Sequence, residues 1–256
     1  MSPSDALSTR NKTQQLKICV VMPTYNNQGT LREVVERVLA YCSDVIVVND
    51  GCTDDSREIL ATFGHRLTVI DYGRNRGKGY ALKQGFKKAK AMGFQYALTI
   101  DSDGQHFPED IPLFVDALEQ HPDALIVGSR NLNQENMPGK NTFANKFSNF
   151  WFKLQTGLCL PDTQTGYRLY PLRHLPKIFS SRYEAELSLL VFSAWRGIEL
   201  VPIKVNVCYP EDRVTHFRPF WDFFRISVLN TLLCLVAIVY GWPSRLIHKL
   251  IRRKKA

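Results

Sequence analysis

A chain of 256 residues with 45% hydrophobic content is long and apolar enough to bury a full core, and it reads as one domain plus a tail. The net charge of +9 invites a nucleic-acid partner, but from Lys204 onward ten lysines and arginines stand against three acids, so most of the excess lies in the last fifth, beside the most apolar stretch. Basic residues next to apolar ones are the footprint of an anionic membrane surface, which argues against nucleic acid. Six cysteines without CxxC or metal-type spacing, and a start without the apolar run of a secretory signal, set the expectation of a reducing, cytoplasmic setting.

Residues 1–15 read as a disordered leader. Beyond them short β-branched runs alternate with helical patterns, the signature of parallel strands joined by helical crossovers. A strand over 17–22 runs into a helix over 30–41, where Leu31, Val34, Val35, Val38 and Leu39 form an apolar stripe. A second strand over 44–49 leads through Asp50-Gly51-Cys52-Thr53 into a helix that Thr53 or Asp54 can N-cap and that reaches Phe63. Residues 67–71 form a third strand, 77–92 a glycine-led helix, 96–100 a fourth strand and 124–127 a fifth. The pattern predicts an open α/β sheet whose loops of interest sit at the carboxyl ends of strands, where ligands of such sheets bind.

Asp101-Ser102-Asp103 follows directly on the buried-strand run Ala97-Leu98-Thr99-Ile100. Carboxylates at i and i+2 off a strand end can both turn toward one hard cation, and Mg²⁺ or Mn²⁺ prefers such oxygen ligands together with substrate phosphates. A bare pair of this kind is also common in solvated turns. Its context favours a metal and diphosphate site: a strand before it, Gly104-Gln105-His106 after it, then Pro108-Glu109-Asp110 with the proline and acids that start a helix.

Three more loops accompany it. Pro23-Thr24-Tyr25-Asn26-Asn27 ends the first strand, Asn49-Asp50-Gly51 ends the second, and Arg74-Asn75-Arg76-Gly77-Lys78-Gly79 opens the glycine-led helix. In this order the four motifs resemble the family 2 glycosyltransferases, most closely the dolichyl- or polyprenyl-phosphate sugar synthases, over residues 17–207. The resemblance implies a GT-A type fold, an open, mostly parallel sheet flanked by helices, carrying here a C-terminal membrane-associated helix. It also implies a nucleoside diphosphate sugar, UDP- or GDP-linked, as donor. Pro23, Tyr25 and Asn27 would then line the nucleotide pocket, and Asp50 would contact base or ribose. Asp101 and Asp103 would bind the metal with Gln105 as a third contact, and Ser102 would lie against the nucleotide sugar. Gly128-Ser129-Arg130 matches a family turn whose arginine meets phosphate, which makes Arg130 a clamp on a charged oxygen. Two positions depart from the family pattern: Asn27 stands where an acid is usual, and Asn49-Asp50 replaces a pair of acids. The choice between uracil and guanine is left open.

Gly77 and Gly79 follow the third strand, and no GxGxxG follows Met22, so a dinucleotide fold is disfavoured. Lys78 lacks the spacing of a phosphate-loop lysine and stands as either a phosphate contact or a solvated lysine of a first helical turn. His65, His121 and His174 read as surface histidines.

In the second half, Asp162-Thr163-Gln164-Thr165-Gly166-Tyr167-Arg168 resembles the family segment that returns under the active site, with Gly166 permitting close backbone approach. Arg168 would touch the acceptor phosphate or brace Asp162. Glu184 and Glu186 open a helix with the core stripe Leu187, Leu190, Val191 and Ala194; they either complement its dipole or serve catalysis. Relatives that use a hydroxyl acceptor carry a Glu-Asp pair near this helix as general base. The spacing here is that of the lipid-phosphate synthases, which favours a phosphate nucleophile that arrives ionised. The expected reaction is an inverting, metal-dependent sugar transfer to a lipid acceptor, first of all polyprenyl phosphate. The alternatives are transfer to a glycolipid hydroxyl in cell-envelope glycan synthesis, with Glu184 or Glu186 as base, and a non-catalytic nucleotide-binding membrane adaptor.

The catalytic domain is expected over 16–210, with a strand over 199–207. Residues 211–225 form an amphipathic acceptor loop, where Arg213, His216 and Arg218 could grip a phosphate while Phe217, Phe220 and Trp221 suit an acyl boundary. Residues 226–256 are an apolar helix and a basic tail. Between Arg225 and Arg245 lie 19 uncharged residues, barely the roughly 20 that a span needs. A single span would also carry the basic tail across the membrane, against the positive-inside tendency. A peripheral, monotopic or re-entrant attachment at the cytoplasmic face satisfies both constraints.

Overall fold

The computed structural model describes residues 3–130, 139–178, 180–182, 184–208 and 219–253. Strands β1 (Ile18–Thr24) and β2 (Val45–Asn49) are buried at every residue, as central strands covered on both faces must be. They belong to a seven-stranded sheet completed by β3 (Thr68–Asp71), β4 (Tyr96–Thr99), β5 (Leu125–Arg130), β6 (Arg168–Pro171) and β7 (Leu200–Val205), in the order β3-β2-β1-β4-β6-β5-β7. All pairings are parallel except those of β6, which runs antiparallel between β4 and β5.

Alternate residues of β1 feed two cores. Val20 and Met22 face the side covered by α2 (Gln28–Tyr41), α3 (Ser56–Ala61) and α5 (Ile111–Gln120). Cys19 and Val21 face the side covered by α4 (Lys78–Ala91), α6 (Gly139–Thr156), α7 (Glu184–Trp195) and α8 (Pro219–Val236). The apolar stripe expected over 30–41 is the buried face of α2. All six cysteines are unpaired.

The chain differs from expectation at both ends. The leader is not disordered: Pro3–Gln15 is a helix, α1. Its sequence has no apolar stripe, so periodicity gives no sign of it. The helix is held by partners distant in sequence: Lys12 Nζ pairs with Asp116 (3.3 Å) and Glu119 (2.8 Å) on α5, the buried Thr13 hydroxyl reaches the Tyr41 carbonyl (3.4 Å), and Ala6 packs on the core. At the other end α8 begins at Pro219, so residues 219–225 are helical rather than loop, while Arg213, His216 and Arg218 lie outside the described residues. Through a π-helical turn (Ala237–Gly241) α8 continues into α9 (Trp242–Arg253). Among the described residues, 226–247 is the one helix long and apolar enough to cross a membrane.

Candidate active site

The strand order turns back between β1 and β4, and at such a switch point the loops after adjacent strands diverge and leave a crevice. Here those loops are 23–27 and 101–103, and they are stitched together. Asn27 Nδ2 donates to Ser102 Oγ (2.9 Å), Ser102 Oγ donates to Thr24 Oγ1 (2.9 Å), and Thr30 Oγ1 donates to the Ser102 carbonyl (2.6 Å). Ser102 is fully buried, so its side chain knits loops instead of facing a nucleotide sugar. Pro23 is buried in β1, and Tyr25 follows it half-buried.

Asp50, expected on base or ribose, is engaged elsewhere: its two oxygens accept the backbone N–H groups of Arg76 and Gly77, each at 2.8 Å. Gly51 makes this junction possible, because its φ is +69° and a Cβ there would stand 2.3 Å from the Arg74 carbonyl carbon. The second strand's loop thus fixes the third strand's loop and the start of α4.

At the centre lies Lys78. Its Nζ is 2.8 and 2.9 Å from the two carboxylate oxygens of Asp101 and 3.0 Å from Glu186 Oε1. It is therefore a bridge between two acids and not a solvated lysine. Burial works against its charge, but Asp101 and then Glu186 outweigh burial and hold the ammonium above its ordinary range. Burial likewise works against the Asp101 carboxylate, yet Lys78 keeps it below the usual range. Glu186 is pushed up by burial, aided by the neighbouring Asp101. Glu184 opens α7 half-buried.

Gly166 is the floor under this cluster. A Cβ there would stand 2.8 Å from Lys78 Nζ, 2.9 Å from Asp101 Oδ2 and 3.0 Å from Glu186 Oε1, and its carbonyl is fixed by Thr99 Oγ1 at 2.6 Å. Gly166→Ala is therefore expected to displace the three charged groups together. Turnover should fall about tenfold or more, ~1.4 kcal/mol in the barrier, with a smaller effect on the unfolding midpoint. Steady-state rates beside a thermal melt check this, and an unchanged rate would show slack in the cluster.

Beside it, Asp103 accepts from the Gln105 backbone N–H (3.0 Å) and from Gln105 Nε2 (2.8 Å). His106 is buried against Tyr167, and burial pushes it down to about 4, so its imidazole is neutral at pH 7. Arg130 at the end of β5 is clasped by Asp162, with Nη2 to Oδ1 at 3.0 Å, and Asn145 Nδ2 on α6 donates to the same oxygen at 2.7 Å. Burial would raise the Asp162 carboxyl, but Arg130 holds it low. Asp162 as the partner of Arg130 was not legible in the sequence beyond its place at the head of the returning segment.

Arg168 requires a correction. It lies in β6, fully buried, and its guanidinium donates to the Glu186 carbonyl (2.7 Å) and the Thr163 carbonyl (2.9 Å). It neither grips an acceptor nor braces Asp162; it ties α7 to the 162–167 segment.

Among the described residues no three His, Cys, Asp or Glu side chains gather as a metal centre. The donors that the sequence offers for a metal are the Asp101 and Asp103 carboxylates and the Gln105 amide, of which Asp101 is paired with Lys78 and Asp103 with Gln105. Such a set is hard and incomplete, which suits Mg²⁺ or Mn²⁺ sharing its shell with phosphate oxygens and water. The Lys78 ammonium on Asp101 shows that this carboxylate already accepts a cation.

The fold is of the GT-A type, and the chain is a glycosyltransferase. Residues 19–173 match the family model of glycosyl transferase family 2, and the chain belongs to that family. It is similar to the UDP-N-acetylglucosamine–dolichyl-phosphate N-acetylglucosaminyltransferase of Methanococcus voltae, 26% identical over 217 residues that cover 76% of this chain and 86% of the relative. The polyprenol monophosphomannose synthase of Mycolicibacterium smegmatis is 29% identical over 70% of this chain and 71% of its own. The undecaprenyl-phosphate 4-deoxy-4-formamido-L-arabinose transferase of Photorhabdus laumondii is 32% identical over 90% of this chain and 70% of its own. Among solved structures, glucosyl-3-phosphoglycerate synthase from Mycobacterium tuberculosis, in complex with Mn²⁺, UDP and phosphoglyceric acid, superposes with a TM-score of 0.66 at 20% identity, covering 91% of this chain and 82% of that one.

Proposed function

We propose that this glycosyltransferase moves a sugar, with inversion, from a nucleoside diphosphate sugar to a polyprenyl phosphate at the cytoplasmic face of a membrane. One observation carries the choice of acceptor. Glu186, the acid that α7 contributes to the cluster, is ion-paired to Lys78 at 3.0 Å, and a carboxylate oxygen held by an ammonium is not free to take a proton from an acceptor hydroxyl. A phosphate acceptor needs no base: its oxygen attacks the anomeric carbon while the bond to the diphosphate breaks, and the electron pair departs with the diphosphate. The names of the archaeal and bacterial relatives, which act on dolichyl phosphate, polyprenol and undecaprenyl phosphate, support the same class of acceptor.

In this reaction Asp101, Asp103 and Gln105 hold Mg²⁺ or Mn²⁺, which when bound stabilises charge on the departing diphosphate. Pro23 and Tyr25 line the base pocket of a UDP- or GDP-linked donor. Arg130, oriented by Asp162, meets a phosphate oxygen. Arg213, His216 and Arg218 receive the acceptor phosphate, and the helix over 226–247 keeps the protein at the membrane where that acceptor resides.

Arg213→Ala and Arg218→Ala should impair transfer to polyprenyl phosphate and leave nucleotide affinity nearly unchanged, while Glu184→Gln and Glu186→Gln remain comparatively mild. Loss of about 10² to 10⁴ in rate in either glutamine variant, with both arginine variants unaffected, would replace the phosphate acceptor by a hydroxyl. The raised carboxyl of Glu186 is the feature that favours that second chemistry.

A further inference from the structure

We propose that α6 is a second membrane-contact helix: its outer face and the outer side of α8–α9 form one apolar footprint that rests flat on an anionic lipid bilayer. The inference rests on the membrane attachment put forward above and specifies its surface and orientation.

On α6, Phe150 is 60% exposed and Leu154, one turn later, 44% exposed. The half-buried Phe147 precedes them by a turn, and exposed Lys146 and Lys153 flank the stripe. The opposite face of the helix is spent on the body, with Asn145, Phe152, Gln155 and Thr156 buried. An apolar stripe bordered by lysines on a helix that already has its core face is the pattern of an interfacial helix.

The C-terminal helix continues this surface. It meets the body along a narrow strip of Asn230, Leu233, Ala237 and Gly241, while Leu232, Leu235, Ile238, Val239 and Trp242 remain exposed on its other sides. The two helices touch. Gln155 Nε2 donates to Asn230 Oδ1 at 2.9 Å, and Arg245 lies over the end of α6, its Nη1 3.0 Å from where a Cβ on Gly157 would be. Further along the strip Ser244 Oγ donates to the Trp195 carbonyl at 2.8 Å.

This strip decides orientation. It runs from Asn230 to Ser244, most of the apolar length, so a helix standing upright in the bilayer would carry α6 and α7 with it. Lys146 and Lys153 would then enter hydrocarbon. Lying flat, the same residues reach the headgroups, and the basic sequence that closes the chain, with Lys249, Arg252 and Arg253, adds charge that suits an anionic surface. The inner side of α6 also supports the site: Asn145 holds Asp162, the partner of Arg130, and Asn149 Oδ1 accepts from the Thr163 backbone N–H at 3.1 Å. Seating α6 on lipid thus fixes the clamp relative to the surface that supplies the acceptor.

The test is flotation of the full-length protein with vesicles of phosphatidylcholine and phosphatidylglycerol, and with phosphatidylcholine alone. The wild type should float with the anionic vesicles and less with the neutral ones. F150E/L154E should bind about tenfold more weakly or worse, ~1.4 kcal/mol, with an unchanged thermal midpoint because both side chains are exposed. L235E/V239E, which alters the C-terminal helix alone, should also lose binding. If F150E/L154E floats as well as the wild type while L235E/V239E does not, the α6 footprint is wrong and membrane attachment stands. If the wild type itself fails to float, the attachment fails and the footprint with it. A dimer in free solution that F150E/L154E dissociates without loss of vesicle binding would assign the face to a second copy of the chain and overturn the proposal.

Discussion

Asp103→Asn is expected to abolish measurable sugar transfer while the protein stays folded. The amide keeps one oxygen to accept from the Gln105 backbone, so the local turn survives. What disappears is a formal charge that the proposed reaction assigns to a divalent cation, alongside Asp101 and Gln105. Metal stabilisation of a leaving diphosphate is worth several kcal/mol, and ~4 kcal/mol corresponds to about 10³ in rate. Turnover against Mn²⁺ concentration, with circular dichroism on the same samples, measures both halves of the expectation. Near-normal rates in chelator-treated buffer would remove the cation from the reaction.

The largest stability effect should come from Lys78→Met. It leaves Asp101 and Glu186 facing each other with no ammonium between them, and breaking a buried pair in this way costs about 3–5 kcal/mol. The sign of its pH dependence follows. In the wild type, Asp101 is held low by Lys78, so its stabilising contribution is present above its unfolded value and is lost as pH falls through its folded value. In the variant both acids have folded values above their unfolded ones, so the penalty is full at neutral pH and is relieved as pH falls through those raised values. Urea unfolding at neutral and mildly acidic pH should show the gap between variant and wild type shrinking on acidification. Glu186→Gln added to Lys78→Met should recover part of the loss, because it removes one of the two stranded charges. A gap equal at both pH values, with no recovery in the double variant, would mean that the cluster contributes little.

The parts of this protein that a sequence displays are those whose cause is local. Continuous β-branched runs announced β1 and β2, the spacing of Leu31, Val34, Val35 and Val38 announced α2, and the carboxylates directly after a strand drew attention to Asp101, which lies in the charged cluster. Gly166 was legible too, since a glycine in that segment implied close approach, and three charged atoms do crowd its Cα. What stayed hidden depends on partners far along the chain. Nothing near Lys78 says that Glu186 will meet it, nothing near Asp50 says that its oxygens will cap Arg76 and Gly77, and Arg168 reads as a phosphate contact or a brace for Asp162 until β6 is seen to run inside the sheet. The polar helix α1 escaped for the same reason, being stabilised by Lys12 reaching α5 instead of by any pattern of its own.

The placement of β6 also bears on how the chain is assembled as it leaves the ribosome. The block β3-β2-β1-β4 is contiguous in the sheet and complete once residue 99 has emerged, whereas β5 borders only β6 and β7, so it has no strand to pair with until residues 168–171 arrive. During that interval the outer edge of β4 presents unpaired backbone groups to whatever is near. Domains emerging from the ribosome fold from the N-terminal side, and an open edge in a half-made sheet is the place where a nascent chain is exposed to wrong pairing. The strand that closes that edge carries Arg168, the residue that locks α7 and the 162–167 segment beneath Lys78 and Asp101. Edge closure and completion of the charged cluster are therefore one late event in the life of the polypeptide, and a chain interrupted before Pro171 would hold Asp101 in place without the frame that gives it a function.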